Sequence, residues 1–423
     1  MSELIPLAEA RMRVLAGRLP LPPRRLGLFD ALGCVLAAAV VAGEPSPLFT
    51  NSAIAGYALR AEDTAGASAE LEVVGELLAG ASFVGGVAKG QAVRIMTGAP
   101  LPSGCDAVCP SERTKASPGG GVIIDAALSP GENVRSAGSD VAVGQVVLVP
   151  GARLAPGGLG LLSSIGVLEV MVHPRPVVGV LSTGDELSEA SGPLAAGKIR
   201  DSNRIALLGL LSDSGFTAVD LGAVGDDEAS VASALLDGAR RCDALITSGG
   251  VSVGDRDVMK TVLARLAGAT MQWLQVAVRP GKPFAFGEVG PARIPVFGLP
   301  GNPVAAMVSF ELFARPALRA MAGCAELDRP VAAAVADEDL ARRCDGKLHL
   351  MRVSARLGCD GLVHVAGVDG QESFQLHAMA QANALALLPD GTGVRAGERV
   401  KTLLLAADEL VGDSVAGIGP RRG

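Results

Sequence analysis

The chain has 423 residues, a formal net charge of −7, 49% hydrophobic residues and only 3% aromatic ones. That length predicts more than one domain with full cores packed by Ala, Val and Leu, and the negative charge argues against a nucleic-acid-binding surface. The longest apolar run, Val35–Ala42, falls far short of the roughly 18–20 residues of a membrane span, and with no signal-peptide core a cytoplasmic protein is expected.

In chain order, Leu4–Leu15 carries apolar residues at helical spacing and predicts an amphipathic helix, ended by Pro20, Pro22 and Pro23. A second apolar segment, residues 26–41, closes at Gly43-Glu-Pro-Ser-Pro47, punctuation of the kind that marks a domain crossing. Residues 70–150 hold short β-type runs (71–77, 92–96, 107–109, 121–125, 145–149) broken by Gly and Pro, which predicts an all-β domain of hairpins. A Gly-rich, helix-like stretch and a short strand at 168–172 lead to His173-Pro-Arg-Pro176.

From Val177 the pattern becomes strand alternating with helix. Strands are predicted at 177–181, 218–224, 243–247, 271–278, 283–286 and 294–297. Helices are predicted from Asp201-Ser-Asn-Arg to about Leu211 with Ser or Asn as cap, from Gly225-Asp-Asp-Glu228 to Arg240, over 258–266, and from Pro303 to about Met321. This is the pattern of a doubly wound, mostly parallel α/β domain. Residues 330–405 are again β-rich (347–355, 362–368, 384–388, 399–404), with 370–383 separating two of the strands and a Gly-rich, disordered tail expected at the end. The expected division is therefore 1–48 with 141–175, 49–140, 176–326, 327–410 and a tail 411–423.

Four strand-to-helix turns of the α/β domain carry chemistry: Thr183–Glu186, Asp226–Asp227, Gly249–Asp257 and Leu299–Pro303. In a parallel sheet such turns gather at the carboxyl edge of the strands, where ligands bind. The glycine pair Gly249-Gly250 lets backbone N–H groups approach a phosphate at a helix N-terminus. Carboxylates at that same turn, Asp255 and Asp257, would repel the phosphate unless a cation such as Mg²⁺ lies between them. The same residues also suit ordinary βα turns with Asp as helix cap. Seven scattered cysteines, of which only Cys105 and Cys109 are close, fit reduced thiols rather than a zinc site, and His173, His349, His364 and His377 show no ligand spacing.

Seven motifs in order resemble the molybdopterin molybdenumtransferases, the MoeA family that includes the gephyrin E domain: Arg94-Ile-Met-Thr-Gly-Ala-Pro100, Gly138-Ser-Asp140, Ser182-Thr-Gly-Asp-Glu-Leu187, Asp201-Ser-Asn203, Ser248-Gly-Gly-Val-Ser-Val-Gly-Asp-Arg-Asp257, Pro280-Gly-Lys-Pro283 and Leu299-Pro-Gly-Asn-Pro303. The resemblance covers about residues 3–405. It implies insertion of molybdenum from molybdate, as co-substrate, into adenylylated molybdopterin, with Mg²⁺ as cofactor and release of AMP. It also implies a homodimer supplied by molybdopterin adenylyltransferase, with a cleft between the α/β domain of one subunit and the β-rich second domain of the other.

Carried over residue by residue, the resemblance implies catalytic roles for Glu186, Asp226, Asp257, Asp140 and Lys282, the first three as metal ligands. It implies substrate contacts at Thr97, Arg135, Thr183, Gly184, Asp185, Ser248, Ser252, Arg279, Asn302 and Ser373, with Gly249, Gly250, Pro300 and Pro303 shaping the backbone. Whether Asp226 or Asp227, and Asp255 or Asp257, faces the site stays open. The chain departs from the family at one acidic position: the pattern Ser-Ala-Met-Asp-Gly-Tyr-Ala reads Ser52-Ala-Ile-Ala-Gly-Tyr-Ala58, so Ala55 stands for Asp. Gln275 stands about where a lysine is expected. These departures leave a second expectation open, a catalytically impaired paralogue that holds molybdopterin or its molybdenum cofactor as carrier or scaffold.

Overall fold

A computed structural model describes residues 4–66, 68–188, 191–249, 251 and 257–410. Gly250, Ser252, Asp255 and the expected tail lie outside them. The chain divides into two compact units at Pro23–Arg24 and at Val172–His173.

The unit formed by the flanking segments is built on an α/β domain. Its strands are β1 (Val177–Thr183), β2 (Thr217–Val224), β3 (Ala244–Ser248), β4 (Gln272–Gln275), β5 (Pro283–Val289) and β6 (Ile294–Leu299), in the order β2-β1-β3-β6-β5-β4. The four strands from β2 to β6 run parallel, and β5 and β4 pair antiparallel at the edge. The chain order reverses between β1 and β3, which makes their carboxyl ends the switch point of the sheet.

The helices between them are α1 (Ser202–Asp213), α2 (Glu228–Arg241), α3 (Val258–Ala267) and α4 (Pro303–Ser309). Alternate strand residues serve opposite faces, as a pleated strand requires. Val178, Val180, Ala244, Ile246 and Phe297 pack with α1 and α4, while Leu181, Leu245 and Val296 pack with α2 and α3. Gly179 is needed inside β1, because a Cβ there would meet Leu221 at 2.7 Å and Leu245 at 2.9 Å. The helix predicted to run from Pro303 to Met321 is interrupted by one π turn, Phe310–Ala314, and resumes at Arg315.

The helix Leu7–Leu15 packs its Ala10 and Val14 into the α1/α4-side core, which Leu350, Leu385 and Leu403 also join. Those last residues belong to a six-stranded C-terminal sheet that contains the four β runs read from sequence and, in addition, Val331–Ala336. The segment 370–383 is not a plain connection: it contains a short helix, Leu376–Gln381.

The second unit, Arg24–Val172, contains the six-stranded sheet Ala107–Pro110, Gly56–Leu59, Gln91–Ile95, Ala69–Leu77, Val122–Ile124, Thr114–Ala116, in that spatial order. The expectation of hairpins throughout is corrected here: Ala69–Leu77 and Gln91–Ile95 pair in parallel, so a loop must carry the chain back along the sheet. The apolar segment 26–41 forms three short strands, Arg24–Gly27, Val35–Leu36 and Val40–Val41, around a small core with the helix Pro156–Ser164. Among the described residues no helix is long and apolar enough to cross a membrane.

Candidate active site

Each βα turn of the sheet is locked locally before it offers anything to a ligand. After β1, Gly184 takes φ 145°, and a Cβ there would lie 2.3 Å from a Glu186 carboxylate oxygen. Glycine alone lets Glu186 turn back over the strand end. The Asp226 N–H donates to Asp185 Oδ1 at 3.1 Å and the Asp185 N–H to Asp226 Oδ2 at 3.4 Å, which ties the first two turns together. After β3, Gly249 takes φ 89° and donates its N–H to Leu299 O at 3.1 Å, which ties the third turn to the fourth.

Three of the helices are capped by Asp. Asp201 accepts from Arg204 N (3.1 Å), Asp227 from Ser230 N (2.8 Å) and Asp257 from Lys260 N (3.2 Å). The expected Ser or Asn cap of α1 is thereby corrected: Asp201 holds that place, leaving Ser202 and Asn203 inside the first turn. Asp227 is a cap whose hydrogen bonds from Ser230 hold its carboxyl below the usual range. Its neighbour Asp226 faces the cleft.

The turns enclose a cleft of about 450 Å³, lined by Thr183, Gly184, Glu186, Asp226, Gly249, Val251, Asp257, Val258, Pro283, Pro300, Gly301 and Asn302. Burial pushes the Asp257 carboxyl up, the Lys260 N–H partly offsets this, and the nearby Asp226 carboxylate pushes it further. Glu186, Asp226 and Asp257 form no ion pair among the described residues. No three carboxylate, imidazole or thiol groups among them converge closely enough to hold a metal ion unaided. Their carboxylates fit Mg²⁺ in its usual manner, in which one or two protein oxygens are completed by substrate phosphate and water.

Two smaller cavities adjoin the cleft. One, of about 250 Å³, shares Pro283, Pro300 and Asn302 with it and is lined by Arg279, Lys282, Lys347, Glu372 and Ser373. Arg279 pairs with Glu372 at 3.2 Å, and Asn302 Nδ2 donates to Ser373 Oγ at 2.9 Å. Fully buried Arg352 donates Nη2 to Gly370 O (2.7 Å) and Glu372 O (3.2 Å), which fixes this loop. Lys282 lines this cavity, while Glu186, Asp226 and Asp257 line the adjoining cleft. Lys347 is the residue that sequence reasoning missed; it reads only as a strand start. It reaches the cavity because Val278–Arg279 pairs in parallel with Leu348–His349. Its ammonium is held by Asp345 at 3.2 Å, which in turn accepts from buried Arg342 at 2.9 Å. The other cavity, of about 110 Å³, is lined by Ser182, Ser248, Asn203 and Pro303 among others. Asp185 turns to the Asp226 backbone and lines none of the three.

Thr97, Arg135, Asp140 and Ala55 belong to the second unit. There Asn51–Ser52 pairs antiparallel with Val134–Arg135, and Ser52 exchanges backbone hydrogen bonds with the Thr97–Ala99 turn, Gly98 N to Ser52 O at 2.8 Å and Ser52 N to Ala99 O at 3.0 Å. Arg135 Nη2 donates to Ala53 O at 3.5 Å. Asp140 N donates to Ser46 O at 2.9 Å. Ala55, Thr97, Arg135 and Asp140 are all exposed on this group of loops.

Comparison with known proteins matches these parts in order. Residues 5–166 match the model "MoeA N-terminal region (domain I and II)", residues 179–320 the "Probable molybdopterin binding domain", and residues 335–405 the "MoeA C-terminal region (domain IV)". A molybdopterin molybdenumtransferase of Haemophilus influenzae is 37% identical over 401 residues, 94% of this chain and 98% of that protein. Molybdopterin molybdenumtransferase 2 of Mycobacterium tuberculosis is 38% identical over 394 residues, 90% of this chain and 94% of that protein. The crystal structure of a molybdopterin biosynthesis MoeA protein from Pyrococcus horikoshii superposes with a TM-score of 0.76 at 28% identity, covering 95% of this chain and 100% of that one. The fold is thus an α/β domain of the molybdopterin-binding type flanked by β-rich domains. The chain belongs to the molybdopterin molybdenumtransferase family, a family of transferases in molybdenum cofactor biosynthesis.

Proposed function

We propose that this chain transfers molybdenum from molybdate into adenylylated molybdopterin with Mg²⁺-dependent release of AMP. The observation that carries the reading is the pairing of cavities: a cleft walled by Glu186, Asp226 and Asp257 adjoins one walled by Arg279, Lys282 and Lys347. Mg²⁺, when bound, supplies charge neutralisation to the phosphoanhydride and the departing AMP. One or two of the Glu186, Asp226 and Asp257 carboxylates would hold it together with phosphate oxygens, and the Gly249 turn would shape the backbone around the phosphate. Arg279, Lys282 and Lys347 would hold the molybdate dianion, for which Asn302 and the Ser373 hydroxyl provide uncharged hydrogen-bonding groups. Thr97, Arg135 and Asp140 would act from the second unit's loops. The protein would work as a cytoplasmic homodimer fed by molybdopterin adenylyltransferase.

A second reading rests on Ala55. Its methyl group is exposed two residues beyond the Ala53 carbonyl that accepts from Arg135, and it cannot serve a metal or a proton. On that reading the chain binds the pterin nucleotide as carrier or scaffold. AMP release from adenylylated molybdopterin with Mg²⁺ and molybdate, native against Ala55→Asp, decides between them. Comparable rates support the transferase. A gain of roughly 10²–10⁴-fold in the variant, the scale of a positioned acid or base, with equal binding of the nucleotide, supports the carrier.

A further inference from the structure

The geometry points to Glu372 as a competitor carried by the chain itself: its carboxylate holds Arg279, and the molybdate oxyanion must displace it to reach all three cations of that cavity. The inference rests on the proposed molybdate site and names a residue that sets how tightly the site takes its anion.

The three cations are held in different ways. Arg279 Nη2 donates to both oxygens of Glu372, Oε1 at 3.2 Å and Oε2 at 3.3 Å. Lys347 pairs with Asp345 at 3.2 Å. Exposed Lys282 forms no ion pair among the described residues. The two carboxylates differ in what else binds them. Asp345 also accepts from Arg342 Nη2 at 2.9 Å and contacts His349 Nε2 at 3.1 Å, and its side chain is 18% exposed. Those contacts fix it in place. The Glu372 carboxylate has no hydrogen bond among the described residues other than that from Arg279, and its side chain is 59% exposed. Exposed ion pairs are weak, because water and salt compete for both charges. Glu372 is therefore the carboxylate that a stronger anion can turn out.

The exchange needs no movement of the backbone. Glu372 N donates to Gln375 Oε1 at 2.7 Å, and Glu372 O accepts from buried Arg352 at 3.2 Å. Ser373 O accepts from Val304 N at 3.1 Å. Turning the Glu372 side chain into solvent thus frees Arg279 and leaves the cavity walls standing. Charge favours the exchange. With Glu372 in place, Arg279, Lys282 and Lys347 face two carboxylates, and one positive charge is uncompensated. His349, whose pKa burial lowers, adds none near neutral pH. With Glu372 turned out, two positive charges are uncompensated, which matches the molybdate dianion. A carboxylate that stayed beside the bound dianion would repel it.

The test measures molybdate binding to the full chain by isothermal titration calorimetry, native against Glu372→Gln and Glu372→Ala. AMP with Mg²⁺ is titrated in parallel, and AMP release is assayed on all three chains. Both variants should bind molybdate about two- to fivefold more tightly than the native chain, the scale of an exposed ion pair, with AMP affinity kept. If Glu372 instead orients Arg279 for the anion, the sign reverses, and the alanine variant binds molybdate more weakly. Equal or weaker binding in either variant, or binding in none of the chains, overturns the inference. Tighter molybdate binding in both variants without AMP release from any chain would sink the transferase reading and leave this one standing.

Discussion

Asp257 shows how one side chain can serve both fold and site. It caps α3 through Lys260 N and also lines the cleft. Its carboxyl is pushed up by burial and by Asp226, so as an anion it is held against its solvation preference. Asp257→Asn keeps a competent cap and removes the repulsion. The expected outcome is an unchanged or higher melting temperature with AMP release lowered roughly 10²–10⁴-fold. A variant that loses both would reduce Asp257 to a cap. The pH profile of AMP release carries the same sign. The carboxyl of the metal-free chain titrates above the usual value of about 3.9, so the Mg²⁺ needed for half-maximal AMP release should rise on acidification sooner than for an ordinary carboxylate, and do so less in Asp257→Asn. Lys347 makes the opposite case, a residue with no sequence signature and a defined place. Lys347→Ala should raise the molybdate KM about tenfold or more, on the scale of a charged hydrogen bond, and leave AMP binding unchanged.

At the scale of elements, the first turn of α1 depends on a buried charge cluster. Asp201 accepts from Arg204 at both N (3.1 Å) and Nε (3.0 Å), and Arg204 Nη1 reaches Asp220 on β2 at 2.6 Å. Asp201 and Arg204 are both nearly buried. Removing one partner of such a pair leaves an uncompensated charge. Asp201→Ala should therefore lower stability by about 3 kcal/mol in urea unfolding, above the roughly 1 kcal/mol of a lost cap. A loss of only about 1 kcal/mol would show that the remaining partners of Arg204, Asp220 among them, satisfy it. The βα turns could be read from sequence either as plain caps or as site residues, and each carboxylate resolves differently. Asp201 and Asp227 cap, Asp226 faces the cleft, and Asp257 does both.

At the scale of the molecule, the first unit is knit by one core. Residues of the N-terminal helix, the α/β domain and the C-terminal sheet share it, and the cationic cavity exists only because the last two meet at Arg279 and His349. The C-terminal sheet also carries a titrating cluster. His364 contacts Asp337 through Nδ1 at 2.8 Å and Asp360 through Nε2 at 3.1 Å, and Arg356 pairs with Asp337 at 3.0 Å. Hydrogen bonds donated to Asp337 and then Asp360 raise the His364 pKa. A raised value means that the stabilisation is complete below the unfolded value of about 6.5 and is lost as pH rises through the folded one. The melting temperature should fall over that interval in the native chain, and the fall should be smaller in His364→Ala. Equal slopes would show that the cluster contributes nothing.

By itself the sequence determined the alternation of strand and helix after Val177, the β character of the flanking regions and the four turns that line the cleft. Those properties are local: period-2 and period-3.6 patterning, glycine at turns and Asp at helix starts act within a few residues. The tertiary structure decided which carboxylate of an adjacent pair faces the cleft and that Lys282 lines a cavity with Arg279 and Lys347. It also decided that Ala69–Leu77 pairs in parallel with Gln91–Ile95 and that Ser182 stands beside Ser248. These depend on register between distant strands and on which face a turn presents. A shift of one residue reverses both, and no window of sequence contains both partners.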